Sequence, residues 1–201
     1  MIEAVQTPAF EASIEPISDV LAEEMIGVSW HPGCPVPISA LRVITMSHWG
    51  FDDRSHRGEL VVHEDVADDV VTVFGRMFTA RFPILRMERI DRYDGDDNAS
   101  MSANNTSSFN CRQIAGGGPF SNHSWGKAID INPVQNPYIK GGVVLPPAGS
   151  SYLDREHVRP GMIVDGDVVV QAFADIGFSW GGHWERLLDY QHFEVADPAA
   201  R

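Results

Sequence analysis

Val66, Val70, Val73, Phe74, Met77 and Phe78 recur in steps of three and four, the spacing that gathers apolar side chains on one stripe of an α-helix. Pro83 ends that pattern. A second helix is predicted over Asp167–Ile176, stopped by Gly177. Shorter apolar runs predict strands: ALRVITMSHWGFD from Ala40, leading into a loop, ELVVH at 59–63, ILRMERIDRY at 84–93, SSFNCRQ at 107–113, AIDI at 128–131 and DYQHFEV at 189–195. Residues 1–27 have only weak periodicity and read as an arm or short helix laid on a domain that spans residues 28–201. Trp30–Pro37 is rich in turn formers, and GGGPFS at 116–121 reads as a flexible approach to the segment after it. Residues 136–166 are rich in Pro and Gly without a period, an irregular excursion of the kind that borders a site or serves as its lid. Strands scattered between helices, with no β-α-β alternation, predict a single α+β domain: an antiparallel β-sheet with helices packed mainly on one side.

Charge narrows the partners. With 28 acids against 15 bases in 201 residues, the net charge of −13 repels phosphate backbones and anionic lipid surfaces, so nucleic acid is excluded as an expected partner. No apolar run approaches the roughly 18 residues of a spanning helix, and the first residues lack the basic start and apolar block of a secretory signal. A soluble monomer is expected. Cys34 and Cys111 form no C-x-x-C pair, which argues against a thiolate zinc cluster and leaves either a disulfide or two buried thiols. Glu64, Asp65, Asp68 and Asp69 fall at the start of the first helix, where carboxylates suit the positive helix end. The run Asp94–Asn98 alternates oxygen ligands, but Ala99 and Asn105 stand where a calcium loop needs glycine and an acid, so it reads as a polar turn.

Of eight histidines, His31, His48, His56, His63, His157 and His183 have no informative neighbours and read as structural or exposed. His123 differs, because Asp130 follows it by seven positions on AIDI. Strand alternation points Asp130 away from Ile129 and Ile131, and a carboxylate between two isoleucines needs a partner. A salt bridge or a backbone amide would serve, as would a metal shared with His123. Near the end of the chain Asp189 and His192 form D-x-x-H among aromatic and apolar neighbours, where a hydrogen-bonded core histidine is the plain alternative. Taken jointly, two imidazoles and one carboxylate are a donor set that Zn2+ accepts with one position left for water, and Asp189 would remain free to take that water's proton.

Ser121, His123, Gly126, Ala128 and Asp130 reproduce S-x-H-x-x-G-x-A-x-D, and D-x-x-H-F-E closes the domain. These motifs resemble the zinc peptidases that trim bacterial peptidoglycan, the D-alanyl-D-alanine carboxypeptidase and L-alanyl-D-glutamate endopeptidase family, over a stretch from about Trp30 to Glu194. The resemblance implies a hedgehog-like zinc peptidase fold, His123, Asp130 and His192 as zinc ligands, Asp189 as catalytic acid/base and Arg112 as the arginine facing the substrate carbonyl. Aspartate rather than glutamate at position 189 is similar to the endopeptidase branch of phage lysins and bacilli. Ser121 is a candidate substrate contact or turn cap, and Glu194 a candidate to orient a ligand histidine or an ordinary surface acid. Trp125, Trp180 and Trp184 either line a groove or pack in the core. The expected activity is hydrolysis of peptide bonds in peptidoglycan stem peptides, outside the cell or in its wall. The alternative is a non-catalytic, zinc-stabilised binding module of the hedgehog kind.

Overall fold

The computed structural model describes residues 8–114, 118–196 and 199; residues 1–7 of the expected arm and residues 115–117 of the glycine-rich approach lie outside them. In chain order the elements are β1 (Ala12–Pro16), α1 (Asp19–Met25), β2 (Leu41–Trp49), β3 (Ser55–His63), α2 (Ala67–Thr79), β4 (Arg86–Met87), α3 (Asp97–Ser102), β5 (Asn105–Thr106), β6 (Ala128–Asp130), β7 (Tyr138–Lys140), β8 (Val143–Leu145), α4 (Val168–Asp175), β9 (Phe178–Trp180), β10 (Leu188–Asp189) and β11 (His192–Val195). Three antiparallel sheets have the strand orders β1-β2-β3, β10-β7-β8 and β6-β11-β9, and β4 pairs with β5 in parallel. The architecture is α+β with antiparallel sheets, as the element pattern implies.

The stripe on α2 is the keel of the core. Val70, Val73, Phe74 and Met77 are all but sealed from solvent and meet Ile44 and Met46 of β2, Leu60 and Val62 of β3, Phe173 of α4, and Ile129 and Phe193 of the β6-β11 ladder. Each large apolar side chain buried there contributes about 1.5–3 kcal/mol. Asp167 opens α4 by accepting from the amides of Val169 and Val170, both at 2.9 Å. No described helix is long and apolar enough to cross a membrane.

Three predicted strands take a different form. The run 189–195 is divided between two sheets, because Tyr190 and Gln191 turn the chain between β10 and β11. Of 84–93 only Arg86–Met87 joins a ladder, and Ile90–Tyr93 coils into a 3-10 turn that Asp94 ends at φ 54°. The cause is Arg89, which is 8% exposed and leaves the ladder direction to meet Glu24 of α1 at 2.7 Å and Glu59 of β3 at 3.2 Å. Segment 107–113 is extended, but its backbone bonds go to Asp130, Val61, His123, Ser29 and Ser121 rather than to one partner strand. Cys111 in this segment is joined to Cys34 by a disulfide.

The irregular excursion is pinned from inside. Asn136, fully buried, donates to the carbonyls of Ile131 and Gly161 and accepts from the amide of Ile163. Arg155 donates to the carbonyls of Gln135 and Ile163 and lies 4.4 Å from the centre of the Tyr190 ring. These bonds satisfy backbone groups that no sheet covers; beyond them the β7-β8 hairpin pairs with β10 through Ile139 opposite Leu188 and Tyr138 opposite Asp189.

Candidate active site

The site is built on a register. In the β6-β11 ladder Asp130 lies directly opposite His192, Ile129 opposite Phe193 and Ala128 opposite Glu194. Alternation sends Ile129 and Phe193 into the core and brings Asp130, His192 and Glu194 to the other face. His123 comes from the 3-10 turn Asn122–Trp125, which Gly126 closes at φ 65°. A Cβ at position 126 would lie 2.6 Å from the amide nitrogen of His63, and the His63 N–H donates to the Gly126 carbonyl at 2.9 Å. Both the left-handed backbone and the close approach require glycine there.

The ligand atoms of His123, Asp130 and His192 all lie within 4.8 Å of one another. His123 Nδ1 is 2.6 Å from the carbonyl of Ser108, which accepts, so that nitrogen carries the proton and Nε2 faces Asp130 Oδ2 at 3.3 Å. His192 Nε2 is 3.0 Å from Glu194 Oε2 and its Nδ1 is 2.8 Å from Asp130 Oδ1. With both outer nitrogens donating, two imidazole lone pairs and a carboxylate converge on one point. Such a convergence calls for a cation between them. Without a metal a proton serves: burial opposes charge on His192, yet its bonds to Asp130 and Glu194 push its pKa up to about 10. Burial likewise opposes charge on Asp130, and the two imidazoles hold it well below the usual carboxylate range all the same. Glu194, also desolvated, is kept below its ordinary value by His192 and by Asn122, whose amide donates to it at 2.5 Å. The donor types, their tautomers and their spacing fit a zinc ion.

Asp189 reaches the same cleft from β10, opposite Tyr138 of β7. Its Oδ1 is sealed from solvent and unpartnered, although the residue as a whole keeps some exposure. Burial, aided by the negative charge of Asp130 and opposed by His192, pushes its pKa up to about 7. Gly181 makes room for it, since a Cβ there would meet the Asp189 carbonyl oxygen at 2.6 Å.

A cleft of about 540 Å³ holds all four groups and also Arg112, Ser121 and Glu194. Arg112 is ion-paired through Nε with Asp97, which also accepts from Asn110 Nδ2 at 2.9 Å. Ser121 caps the 3-10 turn, its hydroxyl accepting from the His123 amide at 3.4 Å. Trp184 lines the cleft with its ring 5.4 Å from that of His192; Trp180 is buried and donates to the Tyr190 carbonyl at 2.8 Å, and Trp125 packs against the smaller core cluster around Met25 and Leu41. A second convergence, of His31, Cys34 and Cys111, offers no thiolate because the two sulfurs are bonded to each other.

Three participants escape the sequence patterns. The Ser108 carbonyl is backbone and leaves no trace in residue type. Asp97 stands in the polar run 94–98, where the neighbouring Asp96 caps α3 while Asp97 turns to the cleft. Lys140 reaches the cleft only because β7 pairs with β10.

No curated protein and no solved structure matches the chain. The model of a family described as D-alanyl-D-alanine carboxypeptidase matches residues 115–195, a stretch that contains His123, Asp130, Asp189 and His192 but not Arg112, and this match supports a peptidase of that kind.

Proposed function

We propose that the chain is a zinc peptidase that hydrolyses peptide bonds in peptidoglycan stem peptides, of the D-Ala-D-Ala carboxypeptidase or the L-Ala-D-Glu endopeptidase type, acting outside the cell or in its wall. The observation that carries this reading is the convergence of His123 Nε2, Asp130 and His192 Nδ1 beside a sealed, unpartnered carboxylate oxygen of Asp189. Zinc held by the three would polarise the scissile carbonyl and lower the pKa of a water towards about 7. Asp189 takes the proton of the attacking water and returns it to the leaving amine; its burial, which disfavours the charged form, favours holding that proton between the two transfers. Arg112, steadied by Asp97, donates to the oxygen on which charge develops, an effect worth about 3–4 kcal/mol at comparable donors. The Ser108 carbonyl and Glu194 fix the imidazole tautomers.

Digestion of purified muropeptides, followed by mass spectrometry, tests this. The zinc-loaded protein yields new termini that identify the bond cut. Asp189→Ala retains zinc and yields none, and His123→Ala loses both metal and activity. Intact muropeptides after incubation with zinc-loaded wild type would refute the peptidase and leave a zinc-stabilised binding module in its place.

A further inference from the structure

The turn that carries Cys34 holds two metal-ligating side chains together. In His31-Pro32-Gly33-Cys34 the Cys34 amide donates to the His31 carbonyl at 3.1 Å. Proline stands second and glycine third, the latter at φ 100°, which is the residue order and positive φ of a type II turn. The two ends of that turn meet Cys111 of the segment 107–113: one ligand atom each from His31, Cys34 and Cys111 lie within 4.8 Å of one another. The His31 amide donates to Cys34 Sγ at 3.2 Å, a bond that strengthens when the sulfur is a thiolate. The His31 ring nitrogens face the carbonyl oxygens of Pro32 at 3.3 Å and of Cys111 at 3.1 Å. A neutral imidazole donates from only one nitrogen, so the other keeps a lone pair to which no described residue donates.

We propose that His31, Cys34 and Cys111 form a second metal site, which takes one Zn2+ when the disulfide is reduced. A dithiol supplies the two electrons and two protons: the S–S bond breaks, two thiols form, and the dithiol leaves as its own disulfide. Zn2+ then displaces both thiol protons and is held by two thiolates and one imidazole, donors that select it over harder cations. With the cysteine Cα atoms 5.9 Å apart, the freed sulfurs part by rotation about their Cα–Cβ bonds to the roughly 3.8 Å that two Zn–S bonds of about 2.3 Å span at a tetrahedral corner. Cys111 is buried, but Pro32 and Gly33 are exposed, so metal and reductant enter from the side of the turn. The ion takes over from the disulfide as the tie between residues 30–37 and the segment that presents Arg112, so the same two cysteines secure that segment in both redox states. The site shares no ligand with the cleft and does not depend on the peptidase reading.

The test compares the oxidised full chain with the same chain reduced by dithiothreitol and desalted without oxygen, each titrated with Co2+ and then with Zn2+. The reduced protein is expected to bind one more Co2+ than the oxidised one and to gain the near-ultraviolet absorption of a thiolate-to-cobalt charge transfer, which Zn2+ then abolishes. Imidazole and carboxylate ligands give no such band, so the cleft does not contribute to it. His123→Ala, which disables the cleft site, keeps both the additional equivalent and the band. Cys34→Ser loses both. His31→Ala keeps the thiolates and weakens the additional binding at least about 10-fold, the loss already typical of an outer-shell partner. No additional metal or no band in reduced wild type overturns the proposal. So does an unchanged affinity in His31→Ala, which would leave a pair of thiolates without the imidazole. Far-ultraviolet circular dichroism follows the fold throughout, and a reduced chain that collapses and is not restored by Zn2+ would equally overturn the site.

Discussion

Replacing Asp189 with asparagine should abolish hydrolysis and at the same time stabilise the metal-free protein. A carboxylate whose pKa rises from 3.8 when unfolded to about 7 when folded binds more protons in the folded state between those values, so its charge costs nothing below about pH 4, and the cost grows as pH rises and is complete above 7. Three pKa units at 1.36 kcal/mol each give a full cost of about 4 kcal/mol, an upper value because the residue keeps some contact with solvent. Asparagine has the same shape and no charge. In the presence of a chelator, Asp189→Asn is therefore expected to gain on wild type by up to about 2–3 kcal/mol between pH 5 and pH 8. Urea titrations of both proteins at each pH unit measure that difference directly. Zinc should shrink the gap, since a nearby cation stabilises the carboxylate in wild type alone. A stability difference that stays flat from pH 5 to pH 8 would refute the account of Asp189 as a desolvated, functionally retained acid. Retained turnover in Asp189→Asn would refute its role as the base.

Zinc binding should expel a proton: at pH 8 the metal-free site holds one on His192, whose pKa is about 10, and the metal needs the lone pair of Nδ1. Calorimetry in buffers of different ionisation heats is expected to count about one proton released per zinc, with affinity weakening as pH falls; a count of zero would show that metal-free His192 is neutral and refute the proton assigned to it. Gly126→Ala should cost at least about 2 kcal/mol, from left-handed backbone and from a Cβ driven against the His63 amide. The same substitution should weaken zinc binding by displacing His123. Thermal unfolding with and without zinc measures both effects, and an unchanged melting temperature would show that the turn accommodates a side chain.

The parts of the fold that follow from local pattern were legible. The α2 stripe announces itself by period, and the β2 and β3 runs by composition, because each element's own residues decide which face is buried. Where the sequence reading departs from the structure, a distant partner intervenes. Residues 189–195 look continuous, yet the Tyr190 amide bonds to Pro137 and its carbonyl to Trp180, which turns the chain out of one sheet and into the next. Residues 84–93 look like a strand until Arg89 finds carboxylates on α1 and β3. Nothing in either segment encodes those partners locally.

The site divides along the same line, and the division explains how it is assembled. Asp130 and His192 are far apart in sequence but are ladder neighbours, so strand alternation, which is readable, suffices to bring them to one face. His123 needs only the Gly126 turn, which the motif also carries. The remaining parts depend on segments with no regular structure. The Ser108 carbonyl and Arg112 both belong to the extended segment 107–113, whose backbone is shared among Asp130, Val61, His123, Ser29 and Ser121 and whose Cys111 is tied to Cys34. One segment thus fixes the tautomer of a metal-ligand candidate at one end and presents the cleft arginine at the other. The disulfide lies between the two positions, next to Arg112, so disturbing it should move the arginine before it moves the imidazole, and substrate turnover should suffer before metal binding does.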